Sequence, residues 1–537
     1  MSEYLRRHTN PPVFITSAVV ILVFLAAGVF FTAQTEAAAG ALQGFISTYF
    51  GWFYVIGVSF FLIFVVGLLF TRYGRIRLGS DESRPEYGNV AWFAMLFTAG
   101  MGIGLVYFGV AEPVAHFNSP PVGEGGTDQA AREAMNLTFF HWLLHPWAIY
   151  IVLGLALAYF SFRRGLPLRP SAAFYPLLGD RINGPIGYAV DILAVFGTIF
   201  GIATSLGIGA QQINAGLNTL FGVPNGTGVQ ILLVLGITAI AVTSLMLGID
   251  RGIRRLALIN MWLAAALALF VFAVGPTLFI LNSFASDVGY YLQNLIGTSF
   301  NMFTTSEGGS AWQASWTLFY WGWWISWSPF VGMFIARISR GRTIREFIVG
   351  TLLAPVGASA VWFVIFGETA IHRMLFGNGS AIAEAESSNA LFVLLQGLPI
   401  PDVLFYVTAL VGIVVVVLFF ATSSDSGSLV VDILTNGGDP DPVWQQRLFW
   451  ALLEGAVAAV LLLVGGLTAL QTASITVGLP FALVLLVMCY SLIKGLQQER
   501  LPAVQPEPER AMSRPQGAPA PQQMSAENPQ DRRPYVG

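Results

Sequence analysis

Tryptophan is concentrated in one apolar stretch of the chain, residues 316–345. The stretch holds Trp316, Trp321, Trp323, Trp324 and Trp327, and several arginines follow. The face of an aromatic ring attracts a cation, and several faces together can enclose a quaternary ammonium group. Tryptophans also form belts at the edges of a membrane, so their number alone leaves both interpretations open.

Glycines alternate in a second apolar stretch, at Gly100, Gly102 and Gly104. Each glycine lowers helix stability by about 1 kcal/mol relative to alanine, so the pattern predicts an unwound turn. Unwound backbone inside a membrane must face protein or a water-filled cavity. Glycines also serve close helix packing. Packing needs them on one helix face, which a two-residue spacing does not give, so we predict a ligand-facing break.

Two further motifs carry candidate ligands. HWLLHPWAIY (141–150) brings Trp142, Trp147 and Tyr150 to similar depth, and ATSSDSGS (421–428) clusters hydroxyls that include Thr422 and Ser423. Hydroxyl and carbonyl oxygens without a full charge suit a weakly held alkali cation. The alternative is capping at a helix end. We interpret Asp425 as such a cytoplasmic cap.

Other polar residues have structural and functional interpretations. His141 and His145 have the spacing of two metal ligands on one helix face, but without an evident third ligand we favour local packing. Glu112 is interpreted as a cap of its span at the outer surface, with a structural or gating role. Glu454 is an intramembrane carboxylate and therefore a functional candidate, although an interfacial role is equally open.

Composition identifies the class of protein that must position these residues. Of 537 residues, 55% are hydrophobic and 10% are charged, against about 25% charged in a soluble domain. The chain is thus predicted to be an all-α polytopic membrane protein. A net charge of −3 gives no reason to expect nucleic acid, and the single Cys489 rules out a disulfide framework.

About 20 apolar residues are needed to cross a bilayer. We predict twelve spans: 12–33, 51–71, 89–111, 138–162, 187–219, 228–248, 256–283, 312–337, 347–371, 402–423, 447–467 and 472–495. With an inside start, every lysine and arginine except Arg132 and Arg373 falls on the cytoplasmic side, where basic residues are enriched. Both ends are then cytoplasmic. The tryptophans at 323, 324 and 327 lie well inside the membrane, which favours a site over a belt.

The third and eighth spans are five apart and therefore cross the membrane in opposite directions. Residues 89–283 and 310–496 are predicted to be two five-helix repeats of inverted topology, with a site at mid-membrane beside broken helices. Residues 1–88 form the cytoplasmic N-terminus and two further spans, and 284–309 an amphipathic surface helix. Residues 497–537, rich in proline and glutamine, are predicted to be a disordered cytoplasmic tail.

At these motifs the chain resembles the betaine/carnitine/choline transporter family. The resemblance rests on the tryptophan stretch, GMGIGLVYFGVAEP (100–113), HWLLHPWAIY and ATSSDSGS, and it covers residues 1–495. It implies the LeuT-like inverted-repeat fold and a transporter. A membrane-embedded enzyme would need a nucleophile with a base, or a cluster of carboxylates or histidines, at membrane depth. A channel would use broken helices too, but not an aromatic cage.

The resemblance also implies site residues. The cage for the trimethylammonium group would consist of Trp142, Trp147, Tyr150, Trp323, Trp324 and Trp327. Gly100, Met101 and Gly102 would offer backbone N–H groups to the substrate carboxylate, with Gly104 beside them. One sodium would be held by Thr98, Met101, Phe419, Thr422 and Ser423. A second would lie near Thr198 and Phe330, but Ile202 replaces the second hydroxyl that this site requires, and Thr204 and Ser205 stand nearby out of register.

The expected function is import of a quaternary ammonium compatible solute by sodium symport, serving osmoprotection. Choline-carrying, proton-coupled relatives tend to have an acid at the position of Gly104, so a zwitterion such as glycine betaine is expected here. The alternatives are proton-coupled or exchange transport of choline, carnitine, ectoine or dimethylsulfoniopropionate. The family also implies a homotrimer in a bacterial inner membrane and no cofactor beyond the coupling ion. The short, mixed-charge tail suggests constitutive or weakly regulated uptake.

Overall fold

The computed structural model describes residues 8–100, 102–246, 250–306, 308–440 and 443–499, with the backbone alone described at 97–100, 244–246 and 250–256. Every regular element in these ranges is helical, which confirms the all-α class. One isolated antiparallel bridge joins Arg77 and Thr343. The predicted tail and Met101 lie outside the described residues, except for the tail's first residues.

The first α-helices are α1 (Pro11–Phe30), α2 (Thr32–Phe70), α3 (Asn89–Gly100), α4 (Ile103–Asn118), α5 (Asp128–Trp142), α6 (Leu144–Ala158), α7 (Tyr175–Leu178), α8 (Pro185–Phe221), α9 (Thr227–Met246) and α10 (Asp250–Val274). The remainder are α11 (Thr277–Ser299), α12 (Gly309–Ser315), α13 (Thr317–Arg337), α14 (Ile344–Phe363), α15 (Thr369–Phe376), α16 (Ser380–Ala383), α17 (Ala390–Gln396), α18 (Asp402–Thr435) and α19 (Trp444–Gln497). Short 3₁₀ turns (72–75, 170–174 and 179–183) and π turns (159–163 and 364–368) connect or extend them.

Within the described residues, eight helical segments are long and apolar enough to cross a membrane, judged by length and composition. The predicted third span is interrupted after Gly100 and resumes at Ile103. The last two predicted spans lie within α19, which is broken where Gly465 and Gly466 leave the helical region. The count of twelve spans and the inverted repeat stay predictions.

A break between α5 and α6 falls at Leu143, whose φ and ψ are −98° and −109°. Pro146 explains its position. Proline has no N–H, and its ring clashes with the carbonyl four residues earlier, which belongs to Trp142. The helix therefore ends at Trp142 and starts again before the proline. This break sets the angle between two aromatic segments of the motif at 141–150.

Helix α18 runs to Thr435, twelve residues past the predicted end of the tenth span. Asp425 is therefore not a helix cap, and that interpretation was wrong. Its carboxylate lies 3.1 Å from the guanidinium of Arg447 on α19, and it is largely buried. Because the charge is paired, the polar segment 422–428 can continue as helix.

The surface segment also differs from its prediction. The seventh predicted span ends at Val274 instead of 283, because Gly275 and Pro276 interrupt the helix. Helix α11 then begins at Thr277, seven residues before the predicted start of the amphipathic segment at 284. Leu292 and Ile296 of that segment are exposed, whereas Tyr291 is buried.

Glycines bring the helices around α13 into close contact. A Cβ at Gly478 of α19 would stand 2.8 Å from the Cα of Gly322, and one at Gly332 would stand 3.1 Å from the backbone nitrogen of Gly154 in α6. Small residues allow such close backbone approach between membrane helices. Helix α13 is thereby held between α6 and α19, with its tryptophans among the neighbouring helices.

Candidate functional site

Helices α4, α6, α8, α13, α14 and α18, together with the end of α5, enclose one cavity. Its lining comprises Gly102, Ile103, Gly104, Leu105, Trp142, Pro146, Trp147, Tyr150, Ser205, Trp323, Trp324, Trp327, Ser359 and Ser423. All aromatic residues of the predicted cage are in this set. The structure therefore brings together side chains that come from two distant motifs, 141–150 and 316–345.

Some of the cage rings cross at steep angles and others stack. The rings of Trp142 and Trp324 are 4.9 Å apart at 71°, whereas Trp323 and Trp324 stack at 4.6 Å and 15°. Trp147 and Tyr150 are 5.4 Å apart at 85°. Rings that cross in this way present faces in several directions, which is the arrangement that surrounds a cation.

Hydrogen bonds fix the indole rings. Trp323 Nε1 donates to the carbonyl of Gly201 at 3.2 Å, and Trp324 Nε1 donates to the carbonyl of His141 at 2.8 Å. Two other polar atoms of the lining, Tyr150 Oη and Trp327 Nε1, have no partner among the described residues. Trp323 and Trp324 are thus held in place before any ligand arrives, whereas Tyr150 and Trp327 each leave one polar group for a ligand.

The predicted break in the third span is present and borders the cavity. Helix α3 ends at Gly100, Gly102 is extended (φ −157°, ψ −177°), and α4 begins at Ile103. A Cβ at Gly104 would lie 2.8 Å from ring atoms of both Trp142 and Trp323. Only glycine at 104 leaves these two rings in place. Met101 is outside the described residues, and Thr98 and Gly100 are described by their backbone alone.

The residues of the first predicted sodium site differ in their position relative to the cavity. Ser423 lines the cavity, and Phe419 is buried one turn before it. The hydroxyl of Thr422 lies 2.8 Å from the carbonyl of Leu418 and 3.2 Å from that of Phe419. These oxygens are close together, but their distances to Thr98 and Met101 are not defined.

The residues of the doubtful second site are not in the cavity lining. Thr198 donates its hydroxyl to the carbonyl of Ala194 at 2.8 Å, and the ring of Phe330 packs 5.4 Å from that of Trp327. Ser205, which is out of register with the motif of the second site, lines the cavity. The structure therefore gives the cavity a hydroxyl on α8 at a position that the motif comparison did not select.

Glu112 has a different environment from the one predicted. It lies inside α4, fully buried, and not at a helix end, so its interpretation as a cap was wrong. One carboxyl oxygen lies 2.7 Å from His141 Nδ1 and 3.2 Å from His116 Nε2, within hydrogen-bond distance of both. The other accepts from Trp142 Nε1 at 2.6 Å and from the hydroxyl of Tyr320.

Glu112, His116 and His141 offer ligand atoms within 4.8 Å of one another, which raises the question of a metal. Two ligands of a tetrahedral zinc stand about 3.3 Å apart. The oxygen of Glu112 and the nitrogen of His141 are 2.7 Å apart, which is a hydrogen-bond distance. His145 bonds instead to Ser299 at 2.9 Å. The cluster is arranged as a hydrogen-bond network.

Part of this hydrogen-bond network could be anticipated from the sequence. Glu112 and His116 are four residues apart and hence on one helix face. The partners on α5 and α13 are distant in sequence, and nothing local pairs them with Glu112. Sequence reasoning therefore missed the contact between the carboxylate and a ring of the cage.

Comparison with known proteins places this arrangement in a family. The family model described as "BCCT, betaine/carnitine/choline family transporter" matches residues 12–501. A probable glycine betaine transporter of Desulfitobacterium hafniense is 46% identical over 495 residues, covering 91% of this chain and 98% of the relative. A glycine betaine transporter of Acinetobacter baylyi is 47% identical over 491 residues, covering 91% of this chain and 73% of the relative.

A third relative, named a glycine betaine/proline/choline transporter in Vibrio parahaemolyticus, is 46% identical over 504 residues and spans 91% of this chain and 90% of its own length. A solved structure of a Na⁺-coupled sialic acid symporter covers 81% of this chain and 87% of its own with a TM-score of 0.43 at 12% identity, too distant to inform the fold or the ion. The sequence relatives and the family model are decisive. The chain belongs to the betaine/carnitine/choline transporter family.

Proposed function

We propose that this chain imports glycine betaine, or a closely related onium zwitterion, by sodium symport through alternating access. The observation that carries the proposal is a cavity with two kinds of wall. Crossed aromatic rings form one, and the N-terminal end of α4 forms the other. Each suits one end of a zwitterion.

The aromatic wall suits the onium group. A quaternary ammonium has no N–H to donate, so it is recognised by ring faces that each contribute about 0.5–2 kcal/mol. Trp142, Tyr150 and Trp324 present such faces from three helices. The same faces would accept sulfonium or ring-based onium compounds, which keeps dimethylsulfoniopropionate and ectoine among the alternative substrates.

The glycine wall suits the carboxylate. The first N–H groups of a helix have no partner within it and favour an anion. Gly102, Ile103 and Gly104 begin α4 and line the cavity. Trp327 Nε1, which has no partner among the described residues, is a further donor. Choline has no carboxylate for these donors, so a zwitterion is the better fit.

The sodium proposal rests on α18. Ser423 lines the same cavity as the cage, and the hydroxyl of Thr422 adjoins the carbonyl of Phe419. Neutral oxygens of this kind suit an alkali cation. Thr98 and Met101 would complete the site from the broken third span. A sodium ion held there would stabilise the break in the third span, and the substrate binds at that same break. Binding of sodium and binding of substrate would therefore be coupled.

The family and the relatives support the substrate class. As a member of a transporter family the chain is a multi-pass membrane transporter of a small molecule and not an enzyme. The relatives are named for glycine betaine, and one also for proline and choline.

We further propose a bacterial plasma-membrane location with both ends cytoplasmic. A trimer would use α11, whose Leu278, Leu281, Leu292 and Ile296 are exposed.

A binding screen tests the substrate. Tryptophan fluorescence of the purified protein should respond to glycine betaine more strongly in sodium than in potassium, because the cage itself reports occupancy. Choline, carnitine, ectoine and dimethylsulfoniopropionate are compared at matched concentration. A stronger response to choline than to every zwitterion would reject the carboxylate argument, and equal responses in both salts would reject the role of sodium in binding.

A further inference from the structure

Glu112 carries a buried charge next to the cage. Trp142 and Tyr320 donate to one of its oxygens, and a ring nitrogen of each of His116 and His141 lies within hydrogen-bond distance of the other. An indole nitrogen can only donate. An ionised carboxyl group can accept at both oxygens, so it uses all four contacts when the histidine nitrogens that face it carry their protons. This arrangement suits a carboxylate.

No basic side chain of fixed charge neutralises this carboxylate among its described partners. His141 Nδ1 lies 2.7 Å from Glu112, and its Nε2 lies 3.0 Å from the hydroxyl of Thr317. A neutral imidazole with its proton on Nδ1 satisfies both contacts, with the hydroxyl as donor to Nε2. With both His141 and His116 neutral, the network retains a negative charge, and a buried charge of this kind requires a counter-charge.

Trp142 connects that charge to the cavity. Its N–H donates to Glu112 at 2.6 Å, while the same indole lines the cavity and crosses Trp324 at 4.9 Å. A carboxylate at the N–H edge adds its own attraction for a cation at the ring face, across a space with little water. Tyr320, bonded to the other side of the same oxygen, stacks 5.7 Å from Trp324.

We propose that Glu112 is the counter-charge for the onium group and thereby determines that the site prefers a cationic head group over a neutral one of the same shape. It acts through Trp142 without touching the substrate, and so it is a positioning residue. The proposal rests on the proposed function, since it assumes that an onium zwitterion occupies the cavity. It adds an electrostatic basis for selectivity that the rings alone do not provide.

The test pairs a change in ligand charge with a change in protein charge. Glycine betaine is compared with 3,3-dimethylbutyrate, in which carbon replaces the quaternary nitrogen, by competition against labelled glycine betaine in saturating sodium. The wild-type protein should prefer glycine betaine. In Glu112→Gln the ratio of the two affinities should fall at least about fivefold, because the variant removes the charge and leaves the size.

Matched variants separate charge from structure. Glu133→Gln removes a half-buried carboxylate on α5 that bonds Asn136 and Tyr290 instead of the cage, and it should leave the ratio unchanged. Tyr320→Phe removes one donor but keeps the charge, and should weaken both ligands by a similar factor. Glu112→Asp keeps the charge but shortens its reach, so its ratio should fall less, by at least about twofold.

A purely structural role for Glu112 would reduce both affinities alike. An unchanged ratio in Glu112→Gln would therefore overturn the proposal. If that variant does not elute as a folded protein, an unchanged ratio in Glu112→Asp does the same. Failure of the wild-type protein to bind glycine betaine at all is a separate result, which would overturn the proposed function.

Discussion

At the scale of the residue, Gly104 shows how an absent side chain shapes the site. A Cβ at position 104 would lie 2.8 Å from ring atoms of both Trp142 and Trp323, so these rings occupy the space that a side chain would need. Both rings have little room to move, because their N–H groups are bonded to Glu112 and to the carbonyl of Gly201. The smallest residue is thus needed where the helix begins.

Gly104→Ala should therefore raise the apparent KM for glycine betaine at least about fivefold, with the protein level in the membrane maintained. The added methyl must displace bonded rings, whereas alanine itself favours the helix. Uptake into cells at a series of concentrations measures this. Gly236→Ala is the control, since a Cβ at that position of α9 meets nothing within 4 Å. Equal effects of the two variants would contradict the account.

Trp327→Leu should raise the apparent KM by about 3- to 30-fold, since it removes from the lining a ring face and an N–H that has no partner among the described residues. Binding should suffer in the same proportion, as measured by fluorescence titration of the other tryptophans. Trp262→Leu, at an exposed position of α10, should have no effect on either. Unchanged kinetics in Trp327→Leu would remove this residue from the cage.

At the scale of the element, helix breaks orient the site. Glycines end α3 and proline ends α5, and both breaks border the cavity. Without the second break, Trp142 and Trp147 would lie on one continuous helix. Each residue of a helix turns by about 100°, so a straightened segment would carry Trp142 away from its present place between Glu112 and Trp324.

Pro146→Ala should lower the affinity for glycine betaine at least about fivefold while making the helix more regular. Alanine supplies the N–H that the carbonyl of Trp142 lacks, so the break at Leu143 loses its cause. Calorimetric titration measures the affinity. Pro480→Ala, also within a helix but away from the cavity lining, serves as the matched variant. An affinity equal to that of wild type would show that the break does not position the cage.

Helix α11 packs against the rest of the described protein partly through two neighbouring acidic side chains. Asp287 is buried, and its carboxyl group neighbours that of Glu368. Burial, and after it the neighbouring Glu368, raises the pKa of Asp287 above its ordinary value. The folded protein thus binds the proton more tightly than the unfolded chain does. Stability from this contact is complete at low pH and is lost as pH rises towards the folded pKa.

We expect the Tm of the detergent-solubilised protein to fall between about pH 6 and about pH 9, and to fall less in Asp287→Asn. Asparagine resembles the protonated acid and cannot lose the proton. Asp180→Asn, which removes an exposed carboxylate, should keep the wild-type slope. The same slope in Asp287→Asn would show that this contact does not titrate in the folded protein.

Sequence predicted the elements best where the cause was local. The glycines at 100–104 and the proline at 146 each act on the backbone within one helical turn. The break at the glycines was predicted from the sequence, and the break at Leu143 is explained by the proline in the same motif. Asp425 was misassigned because its partner, Arg447, belongs to another helix. Glu112 was misassigned for the same reason, since the groups that bind it come from α5 and α13.

At the scale of the whole molecule, composition predicted the class and the motifs predicted the family. Both follow from quantities that need no contacts, namely the apolar fraction and the order of residues along the chain. By contrast, two motifs nearly 200 positions apart share one cavity only through contacts between distant residues, and the sequence does not show these contacts. Only the folded chain shows that rings from α5, α6 and α13 meet the start of α4.

The central claim is that this cavity couples an onium zwitterion to sodium, and sodium-driven uptake tests it most directly. Purified protein in liposomes should accumulate labelled glycine betaine when an inward sodium gradient is the sole driving force, and uptake should saturate. Thr422→Ala should require more sodium, whereas Thr408→Ala, which removes a hydroxyl with similar local bonds elsewhere on α18, should not. Uptake that does not saturate, or that is indifferent to the sodium gradient, would contradict the account.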